Sequence, residues 1–205
     1  MRTLIAVLCL AFASPAFAQG APPDKQGAKP AAAKPAAPEK MSVAMIMDRQ
    51  LTALENDFVP AAEAMPEDKF GFAPTQGEFK GVRTFALQIK HVAHTNLMLF
   101  SMLLGEKLPA NVDPKEDNGP DKMTSKAEII KYLKDSFALG HRAMKTLTEA
   151  TLTERLKDPS GSGNPGPSRL GASSLSLWHS FDHYGQMVEY LRMNGIVPPA
   201  SRAQQ

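Results

Sequence analysis

The chain has almost no cysteine. Cys9 is the only one, and it lies in an N-terminal leader, so the rest has neither thiol nor disulfide. That excludes a cysteine nucleophile and a thiolate-ligated metal. Charge of one sign is lacking too. Lys and Arg number 23 against 21 Asp and Glu, a formal charge of +2. Loss of Arg2 with the leader leaves +1. So even a balance gives no electrostatic footprint for nucleic acid. Beyond the leader no apolar run is long enough to cross a bilayer, so no transmembrane span is expected. Period-two alternation is not sustained anywhere, so no sheet is expected. The glycine-rich "GSGNPGPSRLG" at 161–171 lacks the Gly-Lys-Ser/Thr ending of a phosphate loop. It reads as a flexible connector.

The N-terminus is "MRTLIAVLCLAFASPAFAQG". Arg2 is a short positive start, Leu4 to Phe12 an apolar core too short to span a membrane, and Ala16-Phe17-Ala18 a small-x-small cleavage site. Residues 1–18 therefore read as a cleavable signal peptide, and the protein is expected to be periplasmic or secreted. Leu8 stands before Cys9 where a lipoprotein would have a small residue. Residues 19–40, "QGAPPDKQGAKPAAAKPAAPEK", carry no bulky apolar side chain. They cannot bury enough surface to offset their ordering entropy and read as a disordered linker. Residues 41–201 are enough for one domain, with 202–205 as a tail.

Four helices are expected, and hence an all-α four-helix bundle with long interhelical loops. The first, about Met41 to Met65, carries Val43, Met47, Leu51, Leu54, Phe58, Ala61 and Met65 on one stripe. Pro60 should kink or break it. Met41, Met45 and Met47 suggest core filler rather than a Cu(I) site. The second runs from about Val82 to Leu104, closed by Gly105. The third starts near Ser125, with Glu128 at capping-box spacing. The fourth spans about Ser173 to Asn194, with Gly195 and Pro198-Pro199 as stops. Its apolar face is expected to be Leu177, Phe181, Tyr184, Val188 and Leu191.

His179 and His183 are one helical turn apart, so both imidazoles leave the same face, in a row with Gln186 and Tyr190. Two ligands rarely hold a divalent ion. A catalytic site has three and leaves a position open. The third must come from another helix. The wheel of the second helix slightly favours His91, in a row with Leu87, Met98 and Met102, over His94, which looks more exposed beside Lys90 and Ser101. His141, at a core edge, reads as a structural or surface histidine.

"KHVAHTNLMLFSMLLGEK" at 90–107 and "LWHSFDHYGQMVEYLRMNGIVPPAS" at 177–201 resemble the DinB/YfiT-like superfamily of metalloenzyme bundles. "AAEAMPEDKFGFAPTQGEFKGVRTF" at 61–85 supports the resemblance, which covers 41–201. It implies up-down-down-up connectivity. It also implies a divalent metal, nickel or zinc, held by one histidine of the second helix and two of the fourth. Those match His91, His179 and His183. Asp182 and Gln186 then become candidates to orient ligands or line the pocket, and Gln186 and Tyr190 candidate substrate contacts. No residue stands out as a general base, so the catalytic residue is unassigned. Characterised relatives of this type include thiol S-transferases and a mycothiol-dependent isomerase. Their thiol cosubstrates are cytoplasmic, whereas this chain carries an export signal. The expected function is an exported, metal-dependent enzyme of hydrolase or thiol S-transferase type, acting on a small-molecule substrate. The alternative is a non-catalytic metal-binding or protein-interaction bundle. A homodimer is a candidate assembly.

Overall fold

A computed structural model describes residues 40–157 and 165–202. The expected signal peptide, the linker up to residue 39 and residues 203–205 lie outside the described residues, as does part of the glycine-rich connector.

Helix α1 spans Val43–Ala64 and is capped by Ser42, whose hydroxyl accepts from the Met45 N–H at 3.2 Å. The expected break at Pro60 does not occur, and the helix runs through it. Proline removes one N–H and crowds the preceding turn. Phe58, Ala61 and Ala62 are fully buried on either side and hold the turn against the core. Helix α2 spans Phe85–Leu104, starting later than Val82 because Thr84 caps it through the Leu87 N–H at 3.3 Å. Val82 lies outside the helix and is exposed. Gly105 closes α2 at φ 68°, a left-handed position that glycine adopts without a Cβ clash.

Helix α3 spans Lys126–Met144 and opens with the expected capping box of Ser125 and Glu128. Helix α4 spans Arg169–Met193, beginning earlier than Ser173 because Ser168 accepts from the Gly171 N–H at 3.0 Å. Two 3-10 turns, Glu67–Lys69 and Pro199–Ser201, complete the described elements. A lone bridge between Arg155 and Ser168 is the only β pairing among the described residues. No described helix is long and apolar enough to cross a membrane.

Side-chain pairings give the directions. Asp48 of α1 meets His141, and Glu63 meets Lys134, so α1 and α3 are antiparallel. His94 of α2 meets Tyr132, and Phe100 lies against Gly140, so α2 and α3 are parallel. Gln88 meets Gln186, and Asn96 meets Ser180, so α2 and α4 are antiparallel. The order is therefore up-down-down-up. Each of α1 and α2 packs against both α3 and α4. The links 65–84 and 145–168 join helices diagonal to each other, which is why they are long. The core is filled by Phe58, Phe85, Phe100, Phe137, Leu51 and Leu133, all fully buried. Each contributes roughly 1.5–3 kcal/mol by leaving water.

Two faces differ from expectation. On α2, Lys90, His94 and Ser101 are buried rather than exposed. The 105–125 link lies over Lys90 and His94. Gly119 sits so close that a Cβ there would lie 3.3 Å from the Lys90 carbonyl oxygen. On α4, Leu177 and Leu191 are buried, but Phe181 is exposed, and Tyr184 and Val188 are only half-buried. Ser173, Ser176, Ser180, His183, Met187 and Tyr190 line the buried side instead. Ser173 and Ser176 donate to the helix's own carbonyls, at 2.6 and 2.8 Å. Their burial therefore costs little, and their small size lets α4 approach the bundle closely.

Candidate metal centre

Antiparallel packing of α2 on α4 brings His91 to His179 and His183. The three rings form a near-equilateral triangle, with centroids 5.0, 4.9 and 4.7 Å apart, each pair edge to face. One ring nitrogen from each lies within 4.8 Å of the others, a group that can hold a metal ion. His91 Nε2 and His179 Nε2 are 3.0 Å apart. Two nitrogens on one tetrahedral zinc, each at about 2.0–2.1 Å, would be separated by roughly 3.3 Å. The spacing suits two ligands of one ion or an N–H···N bond.

The nitrogens pointing away from the trio have defined partners. His91 Nδ1 donates to the backbone carbonyl of Asp117 at 2.5 Å. A carbonyl only accepts, so the proton belongs on Nδ1 and His91 Nε2 keeps a lone pair. His183 Nδ1 donates to Gln88 Oε1, which leaves the lone pair on Nε2 free for an ion. Among the described residues His179 Nδ1 is buried without a partner, so nothing holds this ring from behind. Burial, then the neighbouring His179, His91 and Arg83, push the His183 imidazole down to about 4. Burial and His91 also lower His179. Both rings are therefore neutral near pH 7, the form that ligates. The donor set fits a divalent ion such as zinc or nickel: three converging imidazoles, two of them oriented from behind.

The surrounding residues hold this arrangement. Arg83, just before α2, binds Asp117 Oδ2 at 2.5 Å through Nη2 and Asn118 Oδ1 at 2.6 Å through Nε. Burial opposes ionisation of Asp117, but Arg83 outweighs it and holds the carboxyl below its ordinary value. Tyr190, at the far end of α4, donates to the Arg83 carbonyl at 3.2 Å, and its ring packs edge-on against Phe72. Tyr190 thus touches the site through Arg83. Gln186 and Asp182 are exposed and hydrogen-bonded to each other at 2.9 Å.

The other two histidines lie elsewhere. His94 is buried on a different side of α2, with Nδ1 3.1 Å from the Tyr132 hydroxyl. Burial lowers its pKa and raises that of Tyr132. His141 bridges two carboxylates of α1, Asp48 Oδ1 at 2.6 Å and Glu55 Oε2 at 2.9 Å, as a structural histidine does. Gln88, Arg83 and the Asp117 carbonyl were not picked out from the sequence. Gln88 had a signal, a polar residue three positions before His91 in an apolar helix. The Asp117 carbonyl had none, since every residue carries one.

The fold matches solved bundles. One is a DinB-like protein from Bacillus cereus, 18% identical, with a TM-score of 0.56 over 75% of this chain and 93% of that one. Another is a DinB-like protein from Bacillus subtilis, 14% identical, with a TM-score of 0.54 over 78% and 99%. No curated protein matches the chain. The family model of the DinB superfamily matches residues 50–187, taking in α2, α3, both α4 histidines and most of α1. The chain belongs to the DinB superfamily.

Proposed function

We propose that His91, His179 and His183 bind one divalent ion, nickel or zinc, and that the protein is an exported metal-dependent enzyme of hydrolase or thiol S-transferase type. The observation that carries this reading is the convergence of three imidazoles from two helices, two of them oriented from behind. When bound, the ion would supply Lewis acidity. The chain's own residues orient the site. Asp117 and Gln88 hold the rings, Arg83 anchors the link that carries Asp117, and Tyr190 anchors Arg83. Export rests on the leader of residues 1–18.

Elemental analysis of protein purified from zinc- and nickel-supplemented medium tests the site. The expected result is one metal per chain, lost in His179→Ala with unchanged helical circular dichroism. Equal metal content in that variant refutes the site. Hydrolysis and thiol-transfer assays on the loaded protein come next. Turnover that disappears in His179→Ala supports an enzyme, and its absence from every assay supports the metal-binding module. A mature N-terminus at Gln19 in the periplasm of a Gram-negative host supports export, and an intact leader in the cytoplasm refutes it.

A further inference from the structure

Four side chains run in series from the surface to the histidine trio. Gln186 Nε2 donates to Asp182 Oδ2 at 2.9 Å. Gln88 Nε2 donates to Gln186 Oε1 at 2.8 Å. Gln88 Oε1 is bonded to His183 Nδ1. Asp182 and Gln186 are exposed, whereas Gln88 and His183 are buried.

Such a chain has a direction. Each glutamine amide has one accepting and one donating end, and imidazole Nδ1 does either according to its tautomer. Those three members alone could point either way. A carboxylate only accepts, and Asp182 accepts from Gln186 Nε2. Asp182 therefore turns the Gln186 NH2 toward itself and the Gln186 oxygen toward Gln88. The Gln88 NH2 must then face Gln186 and its oxygen His183. The proton of His183 is forced onto Nδ1, and Nε2 keeps its lone pair. This direction follows from the carboxylate, whichever way the amides are drawn.

We propose that Asp182 sets the tautomer of His183 through Gln186 and Gln88, making all three positioning residues for the metal ligand. The proposal rests on the three-histidine reading for its purpose, but the tautomer itself can be measured without metal. Gln88 joins the site here through its hydrogen bonds alone. Asp182→Asn is the sharpest perturbation. It preserves shape at an exposed position, yet the new amide can accept or donate. The whole series can then run backwards, with Gln88 donating to His183 Nδ1 and the proton on Nε2. If the two directions are similar in energy, about half the molecules hold the wrong tautomer, and apparent zinc Kd rises about two-fold. Gln88→Met removes the direct partner and should raise it about ten- to a hundred-fold.

The test uses full-length, metal-free protein labelled with 15N-histidine. Two-bond proton–nitrogen spectra report which ring nitrogen carries the proton. In the wild type, His183 should be protonated on Nδ1 alone. Asp182→Asn should give a mixture of tautomers at unchanged circular dichroism, and so should Gln186→Met, which keeps the test available if Gln88→Met does not fold. Zinc affinity by chelator competition follows on the same samples. A wild-type His183 protonated on Nε2, or an Asp182→Asn spectrum like wild type, overturns the proposal. Failure of the wild type to bind zinc instead overturns the metal site, and the tautomer result then stands by itself.

Discussion

Two glycines sit beyond the first turn of a helix, Gly140 in α3 and Gly185 in α4, and replacement by alanine should move them in opposite directions. Alanine in a helix interior gains about 0.8–1.0 kcal/mol over glycine. At Gly185 nothing among the described residues lies within 4 Å of the added Cβ, so that gain should appear almost whole. At Gly140 the Cβ would lie 2.6 Å from Phe100 Cε2 and 2.8 Å from Leu51 Cδ2. Ordinary carbon contacts are about 3.5–4.0 Å. Phe100 on α2 and Leu51 on α1 are both fully buried, so neither can swing into solvent. Overpacking costs about 1–3 kcal/mol, and the closed surroundings favour the upper half of that range. After the helix gain, Gly140→Ala should lose about 1–2 kcal/mol, or roughly 2–8 °C in Tm for a domain this size. Urea melts of both variants beside wild type read the two signs directly. A stabilised Gly140→Ala would show that α1, α2 and α3 are not packed this closely, and a destabilised Gly185→Ala would refute the open position on α4.

Two further outcomes separate structural histidines from the trio. Burial works against the charge on His141, but hydrogen bonds to Asp48 and Glu55 raise its pKa above the ordinary value of about 6.5. A raised folded pKa contributes stability that is full below the unfolded pKa and fades as pH rises through the folded one. The stability gap between wild type and His141→Gln, about 0.5–1 kcal/mol for partly exposed pairs, should thus be widest near pH 6 and close toward pH 9. A gap that widens with pH contradicts the pairing. Tyr132→Phe strips His94 Nδ1 of its buried partner. It should cost about 1–3 kcal/mol in a denaturant melt while leaving metal content unchanged. Lost metal would place His94 in the site.

Local signals in the sequence were the most readable. Ser125 with Glu128 marked the start of α3, and Gly105 and Gly195 marked ends, because caps and left-handed positions depend on a few adjacent residues. His179 and His183 were readable for the same reason, being one turn apart. The start of α2 was placed early because Val82 extends the apolar pattern of Phe85 and Ala86 past the Thr84 cap, and that of α4 late because its first turn, Arg169-Leu170-Gly171, is not distinctively apolar. The burial of His94 could not be read from the helix it sits on, since the cover comes from a link with no periodicity. The buried side of α4 was misjudged because serines, read as polar, satisfy themselves on their own helix and pack inward. His91 was only slightly favoured by its wheel position. What distinguishes it from His94 is contact with α4, a property of tertiary packing.

His91 and His179 stand 88 positions apart along the chain. Synthesis delivers the chain from its N-terminus. A growing chain that has released α1, α2 and α3 therefore carries one of the three histidines and lacks the other two. Gln88 likewise waits for Gln186 and His183 before its hydrogen bonds exist. The site is thus assembled only when α4, the last of the four described helices, arrives. Metal captured through all three histidines can be taken up only after α4 has been made, in whichever compartment it docks on α2.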